Sequence, residues 1–289
     1  MPQTINTNLV SLNAQRNLNM SQSSLATSMQ RLSSGLRVNS AKDDAAGMAI
    51  AERMNAQVRG MNVAVRNAND GVSLAQTAEG ALGKVADSLQ RMRELAVQAR
   101  NATNSDDDKD SLDKEFGELA KEVQRVLGGT TFNGKGILST AGAGTQTFQV
   151  GANTTTNDSI DITTTDMTTD ASITAVAGTD NTGAGRAVID NTADTTAIAT
   201  VIDNIDASLD VVNSERATLG ASQNRFEAVI ANLQVSVENQ GAARSRIMDA
   251  DFAAETANLS RAQILQQAGN AMVAQANQQP QQVLKLLQG

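Results

Sequence analysis

The side chains that most often carry out catalysis or bind metal ions are absent from this sequence. Its 289 residues include no His and no Cys. This removes the commonest general base, the base of a serine triad and the usual zinc ligands. Carboxylates remain, with 31 Asp and Glu against 23 Lys and Arg, but carboxylate catalysis also needs a pocket to act in. The sequence therefore predicts a protein that is not an enzyme and uses no cofactor or metal ion.

Charge and hydropathy argue against two further classes of protein. The net charge of −8 disfavours a nucleic-acid-binding protein, which needs a basic surface. The sequence contains no run of eighteen apolar residues, so no transmembrane helix is predicted. The N-terminus lacks the basic and apolar regions of a cleaved signal peptide, and we expect any secretion to use another route.

Long helices must position the polar side chains that remain. Residues 54–99 and 198–237 carry apolar ladders with alternating spacings of three and four. That spacing places a narrow apolar stripe on one face of a helix and predicts a partner helix. We expect the two ladders to cover each other. Glu79, Arg216 and Gln223 interrupt them, and we interpret these positions as places of looser packing.

The two ends of the chain carry weaker helical patterns. Residues 1–43 and the residues from about 252 onward have apolar stripes in a background rich in Gln, Asn, Ser and Ala. A turn at 33–40 and a polar break around Asp249 separate them from the ladders. A pair of such helices is marginal in water without further partners. We expect either frayed ends or helices that are held in place by neighbours.

The middle of the chain changes character along its length. A capped helix is predicted over 112–126, after a polar acidic turn and before two glycines. Short β-prone runs between residues 130 and 173 predict hairpins. Residues 174–194 have few apolar anchors, and we expect them to be the least structured part. The fold class that follows is mainly α, an elongated antiparallel helical coiled-coil bundle with a small β-hairpin region.

Seven segments carry specific motifs: Ile5–Leu9, Gln30–Met48, Gln90–Val97, Thr131–Gly134, Gln149–Asn153, Asn258–Met272 and Val283–Leu287. In this order along the chain they resemble bacterial flagellin. The resemblance covers roughly residues 1–170 and 195–289, and its motifs are highly specific.

The resemblance implies the family's division into shells. Residues 1–43 plus 246–289 match the terminal helix pair, called D0, which forms the inner tube of the filament. Residues 44–170 plus 195–245 match D1, a helical rod with β-hairpins. Residues 171–194 form a short remnant rich in Gly, Thr and Asp, where many relatives insert outer domains. We therefore expect outer domains to be essentially absent.

The resemblance also implies a function. The chain would be a structural subunit that self-assembles into the helical flagellar filament used for swimming. It would be secreted, exported unfolded, and polymerised at the distal tip into an extracellular flagellum. The implied partners are many copies of itself, an export chaperone, the filament cap and hook-associated proteins. The alternatives are a hook–filament junction protein and a secreted adhesin of the same helical family.

Two sets of site residues follow from these expectations. The resemblance implies that a host Toll-like receptor for flagellin contacts Arg91, Leu95 and Glu115. The alternative is that these charges are solvated and contact neighbouring subunits. We expect assembly to bury the stripes of the terminal helices, which would be disordered or molten in the free subunit. The residues expected to drive assembly are Ile5, Leu9, Leu12, Leu259, Leu265, Met272, Leu284 and Leu287.

Overall fold

A computed structural model describes residues 7–287 of the chain, with side chains for residues 7–278. The described residues are mainly α-helical, which confirms the predicted fold class. None of the helices within this range is long and apolar enough to cross a membrane. The helices are α1 (Leu9–Ser34), α2 (Ala45–Ala99), α3 (Asp106–Gly129), α4 (Ala171–Ala177), α5 (Thr195–Met248) and α6 (Phe252–Leu287). The strands are β1 (Thr131–Phe132), β2 (Lys135–Gly136), β3 (Gly144–Gln149) and β4 (Ser159–Thr164).

The chain divides into two compact units. Unit 1 consists of Met1–Ala56 and Glu238–Gly289, and unit 2 consists of Gln57–Val237. These boundaries fall inside α2 and α5, and so differ from the predicted boundaries at residues 43 and 246. The predicted division into D0 and D1 stays a prediction.

In unit 1, α1 and α6 pack as an antiparallel pair. A Cβ built on Gly35 would lie 3.8 Å from the Phe252 ring, and one built on Gly269 would lie 3.1 Å from Leu18 Cδ1. Residue numbers therefore rise along one helix as they fall along the other. The terminal helices therefore form the predicted pair over the described residues.

The breaks at the inner ends of α1 and α6 are joined by backbone hydrogen bonds. Gly35 ends α1 with φ of +70°, a left-handed conformation that glycine adopts without strain. The Ala250 N–H donates to Gly35 O at 2.9 Å, and the Arg37 N–H donates to Met248 O at 2.7 Å. The structure therefore confirms the breaks that were predicted at residues 33–40 and around Asp249.

In unit 2, α2 and α5 form a second antiparallel pair. Three contacts run along it: Gly71 against Phe226, Glu79 with Gln223 and Arg93 with Asp206. The predicted covering of one ladder by the other is therefore confirmed. The fully or almost fully buried ladder residues are Ala68, Ala75, Leu82, Val85, Leu89, Met92, Ala96, Ala99, Ile198, Ile205, Val212, Leu219 and Phe226.

Helix α3 completes the helical part of unit 2. Ser105 and Asp108 form a capping box at its start. The Asp108 N–H donates to the Ser105 hydroxyl oxygen, and the Ser105 N–H donates to the Asp108 carboxylate. Phe116, Ala120 and Val123 recur at intervals of four and three and are buried. The stripe faces the same hydrophobic core as α2 and α5. The predicted capped helix is thus observed.

Two antiparallel hairpins follow α3. Strands β1 and β2 are joined by Asn133 and Gly134, both with positive φ, as a tight two-residue hairpin turn requires. Strands β3 and β4 pair from Gly144 with Thr164 to Gln149 with Ser159. On β4, alternate residues beginning with Ile160 are buried, so one face of this hairpin covers the core.

The segment 174–194 is more ordered than its composition suggests. Helix α4 covers its start, and Val176 and Ile189 are fully buried. Asp180 and Asp190 each accept a hydrogen bond from the backbone N–H and the hydroxyl of the threonine two residues later. Residues 178–194 nevertheless contain no helix or strand, as expected for the least regular part of the middle, and polar turns with a few apolar anchors fix the path of the backbone.

Candidate functional site

The candidate assembly surface is the exposed apolar side of α1 and α6, in unit 1. Leu9 is 67% exposed, Ile264 66% and Leu265 50%. Large apolar patches on a soluble protein usually mark a contact with another molecule. The exposed leucine, methionine and phenylalanine side chains of the described residues all lie on these two helices: Leu9, Leu12, Met20, Met29, Phe252, Leu265 and Met272.

The seam between α1 and α6 explains why these side chains remain outside. Ala262 and Ala276 on α6 and Ser11 and Ser28 on α1 are buried in unit 1. Gly269 lies midway between the two alanines, so small residues recur every seven positions along α6. Close approach at Gly269 lets Leu18 pack against the α6 backbone. The seam is therefore narrow, and it buries little apolar surface.

A few polar contacts add specificity to this seam. The Asn8 side-chain amide donates to Ala276 O at 2.7 Å, and the Ser11 hydroxyl donates to Asn277 Oδ1 at 2.7 Å. Arg31 lies 3.8 Å from the buried Glu255 carboxylate. The Arg31 Nε is buried and has no hydrogen-bond partner among the described residues, so this ion pair is incompletely satisfied. The pair of helices is held in register, but not strongly.

Beside the seam runs an apolar groove of about 560 Å³. Leu9 and Val10 of α1 and Leu265 and Met272 of α6 line it. Leu265 also lines a neighbouring groove of about 730 Å³, whose other walls are rich in serine hydroxyls. The two grooves together could receive apolar side chains from another molecule.

The structure places the predicted assembly residues in three groups. Leu9, Leu12, Leu265 and Met272 are exposed, and Leu259 is half-buried. Ile5 lies outside the described residues, and so do the side chains of Leu284 and Leu287. Sequence reasoning missed Met20 and Phe252, which are 61% and 57% exposed. An isolated large apolar residue on an otherwise polar helix was the signal that could have found them.

A second candidate surface lies on unit 2, where Arg91 joins α2 to α3. The Arg91 Nε donates to Glu115 Oε1 at 2.9 Å, and Nη1 donates to Glu94 Oε2 at 2.9 Å. The hydrogen bond to Glu94 raises the pKa of Arg91 above its ordinary value, and the hydrogen bond to Glu115 raises it further. Arg91 and Glu115 are about half exposed. The structure thus brings two of the three predicted receptor residues together.

Leu95 does not belong to that surface. Its side chain is 1% exposed, between the buried Met92 and Ala96. The core-facing stripe of α2 is two residues wide here, so Leu95 points into the core although Arg91, one turn earlier, points out. A direct contact of a receptor with Leu95 therefore does not fit its burial, and the receptor contact at Arg91 and Glu115 stays a prediction.

Comparison with known proteins identifies the family. A model of the bacterial flagellin N-terminal helical region matches residues 5–143, and a model of the bacterial flagellin C-terminal helical region matches residues 202–287. Flagellin from Halalkalibacterium halodurans is 47% identical over 98% of this chain and 99% of its own length. Flagellin from Bacillus subtilis is 43% identical over 98% of this chain and 99% of its own length.

A longer relative shows what this chain lacks. Flagellin from Serratia marcescens is 43% identical, in an alignment that covers 99% of this chain and 100% of the relative. That alignment extends over 352 residues, more than the 289 of this chain, so the relative carries additional segments. Between α3 and α5, this chain has short hairpins, a single 3-10 turn at Thr156–Asp158 and α4, as expected for a chain without large outer domains. The chain belongs to the bacterial flagellin family, a family of structural proteins that polymerise into the extracellular flagellar filament.

Proposed function

We propose that this chain is a filament subunit whose terminal helices α1 and α6 supply the main contacts between copies. The observation that carries this proposal is the confinement of exposed Leu, Met and Phe side chains, among residues 7–278, to those two helices. Burying apolar surface is worth about 25 cal/mol per Å². Covering this face with neighbouring subunits therefore favours a polymer over the free chain, and the polymer would serve swimming motility.

The weak seam between α1 and α6 supports a second part of the proposal. Small residues and a few hydrogen bonds hold the pair, and an isolated pair of this kind is marginal in water. We propose that both helices are disordered or molten in the free subunit and become ordered in the polymer. Hydrogen exchange should be fast in 9–34 and 252–278 of the subunit and slow in the filament. Slow exchange in both states would contradict this.

The route to the filament is also a proposal. We propose that the chain is secreted, exported unfolded through a narrow channel with the help of a chaperone, and added at the distal tip beneath a cap. Hook-associated proteins would join the ends of the polymer. Because the chain has no Cys, it forms no disulfide that would have to be reduced before export through a narrow channel. Crosslinking and pull-down from growing cells would identify these partners.

Charge substitution on the exposed face tests the assembly proposal. Leu265→Asp places a carboxylate between the two grooves of unit 1, and the cost of burying it should abolish elongation of filament seeds. Val188→Asp introduces the same charge at a residue of unit 2 that is 42% exposed, and should leave elongation intact. Circular dichroism should show equal folding of the two variants. Normal elongation by the Leu265→Asp protein would refute the proposal.

The same seeded reaction separates the rival functions. A filament subunit should extend seeds to micrometre lengths. A hook–filament junction protein would bind seed ends without extending them, and an adhesin would stay monomeric. Electron microscopy of the products distinguishes the three outcomes.

We further propose that the surface formed by Arg91 and Glu115 is the part of unit 2 that a host Toll-like receptor contacts. It is accessible, and its two side chains fix each other's position. Arg91→Ala should weaken receptor activation about tenfold, which corresponds to about 1.4 kcal/mol. Arg93→Ala is the control, because Arg93 is similarly exposed but pairs with Asp206 on α5. Unchanged activation by the Arg91→Ala protein would overturn this proposal.

A further inference from the structure

The nine methionines within residues 7–278 differ sharply in exposure between the two units. The exposed ones lie on the terminal helices: Met20 at 61%, Met29 at 57% and Met272 at 60%. The buried ones lie in unit 2: Met61 at 6%, Met92 at 0% and Met167 at 0%. Met48, Met54 and Met248 are half-buried. Accessible thioethers are therefore concentrated on the candidate assembly surface.

These thioethers are the most oxidisable accessible groups among residues 7–278. The sequence has no Cys, Trp or Tyr, so no thiol competes for a mild oxidant. Oxidation of Met follows exposure, and it converts a flexible apolar side chain into a polar sulfoxide. Met is also the apolar side chain that adapts most readily to differently shaped neighbours, which suits a surface that must pack against several copies.

We propose that Met20, Met29 and Met272 form an oxidation-sensitive site: hydrogen peroxide converts their thioethers to sulfoxides in the unassembled subunit and thereby blocks its addition to the filament. Polymerised subunits are protected, because neighbours cover the same side chains. The modification itself depends only on exposure, whereas its effect on assembly rests on the proposed function. Methionine sulfoxide reductases would restore the subunit.

The chemistry balances with peroxide as the oxidant. A sulfur lone pair attacks one peroxide oxygen, so that a sulfur–oxygen bond forms as the oxygen–oxygen bond breaks. The proton on the transferred oxygen passes to the departing hydroxide, which leaves as water. The sulfur loses two electrons and the peroxide gains them.

The position of the sulfurs explains why the change would matter. Met272 lines the apolar groove beside Leu9 and Leu265, and Met20 lines the neighbouring groove. A sulfoxide oxygen in the apolar groove would have to lose its water when a neighbouring subunit packs there. An unpaired buried polar group is costly, so the oxidised face should associate more weakly.

Mapping the modification tests the first half of the inference. Subunits treated with hydrogen peroxide would be digested and each methionine followed by mass spectrometry. We expect Met20, Met29 and Met272 to oxidise at least about tenfold faster than Met61, Met92 and Met167, as their exposure requires. Equal rates in the two groups would overturn the inference whatever the function of the protein.

Seeded polymerisation tests the second half. Peroxide should raise the critical concentration of the wild-type subunit about tenfold, and reductase treatment should reverse it. The triple variant Met20→Leu, Met29→Leu, Met272→Leu keeps side-chain volume, and should assemble and resist peroxide. The matched triple variant at Met61, Met92 and Met167 should remain as sensitive as the wild type.

The outcomes separate this inference from the proposed function. Normal elongation by wild-type subunits that carry all three sulfoxides would overturn the inference and leave the proposed function standing. The inference would also be overturned, with the proposed function intact, if peroxide blocked assembly of the triple variant Met20→Leu, Met29→Leu, Met272→Leu. Failure of the untreated protein to extend seeds would refute the proposed function instead. Equally fast oxidation in filaments and free subunits would show that these side chains lie outside the subunit contacts, and would overturn the inference.

Discussion

Gly71 lies directly against the ring of Phe226, where α2 meets α5. A Cβ built on Gly71 would lie 2.7 Å from Phe226 Cζ and 3.0 Å from Cε1. The ring cannot easily move, because it is fully buried and packs edge-on against Phe148 with ring centroids 5.6 Å apart. The close contact explains a glycine inside a long helix, where it costs about 1 kcal/mol relative to Ala.

Gly71→Ala should therefore destabilise unit 2. The added methyl group forces Phe226 or the backbone to shift, and overpacking of this kind costs about 1–3 kcal/mol. Gly80→Ala is the matched control on the same helix, because a Cβ at Gly80 meets nothing within 4 Å. That variant should gain about 0.5–1 kcal/mol from better helix propensity. Urea unfolding measures both changes, and a stabilised Gly71→Ala protein would contradict the close contact.

The pair of Arg186 and Asp113 should anchor the segment that follows α4 to helix α3. The guanidinium donates twice to the carboxylate, which also accepts from the Ile189 N–H at 3.0 Å. Both side chains are largely buried. Although burial raises the pKa of Asp113, the hydrogen bonds from Arg186 and Ile189 outweigh it and keep the pKa below its ordinary value.

Arg186→Leu should lower the free energy of unfolding by about 3 kcal/mol, because it leaves a buried carboxylate without its partner. The control is Arg125→Leu, which removes an exposed pair with Glu122 three residues away. Such pairs contribute about 0.5 kcal/mol or less. Denaturant titration of the two variants compares them, and equal losses of stability would show that the Arg186 pair is no stronger than a surface pair.

Asp166 should make stability depend on pH in the acid range. Burial by itself would raise its pKa, but hydrogen bonds from the hydroxyls of Thr168, Thr140 and Thr169 lower the pKa from 3.8 to about 2. Because the folded-state pKa is lower than the unfolded one, the carboxylate stabilises the fold above pH 3.8. That contribution is lost as the pH falls through about 2.

Comparison of the wild type with Asp166→Asn tests this. The difference in unfolding free energy should be constant above about pH 5 and shrink steadily between about pH 4 and pH 2. Thr140→Val removes one hydroxyl donor and should move the loss of stability to higher pH. A difference that stays constant down to pH 2 would show that the three hydroxyls do not hold the carboxylate charged.

Glu79 and Gln223 form a polar contact inside the seam of α2 and α5. The Gln223 amide donates to Glu79 Oε2 at 2.9 Å, and Glu79 is half-buried. Gln223→Leu should cost about 1.5–3 kcal/mol, because it removes a hydrogen bond to a charged group. Replacing both residues by Leu should recover most of this loss, since an apolar pair continues the ladders.

A double-mutant cycle in urea measures the coupling between the two residues. Additive effects of the two single changes would contradict a direct contact. The expectation of looser packing around these residues stays a prediction, and faster hydrogen exchange around Glu79 than around Leu89 would support it.

The sequence by itself determined the long helices and the breaks between them, but it did not reveal the short helix α4. Gly35 and the polar residues near Asp249 mark breaks that the structure places there, and Ser105 begins α3 as a cap residue should. The ladders predicted both the buried face of α2 and its pairing with α5. These features follow from local rules, because periodicity, caps and turns act over a few residues.

Only the tertiary structure decided which apolar side chains are buried and which residues distant in sequence make contact. Periodicity did not reveal that Leu95 is buried while Leu9 and Leu265 are exposed, since that depends on the partner helix. The sequence also did not reveal that Arg186 pairs with Asp113, because the two residues are 73 positions apart. Small residues in the seam of α1 and α6 bring those helices close together, and so leave the large apolar side chains outside for another molecule to cover.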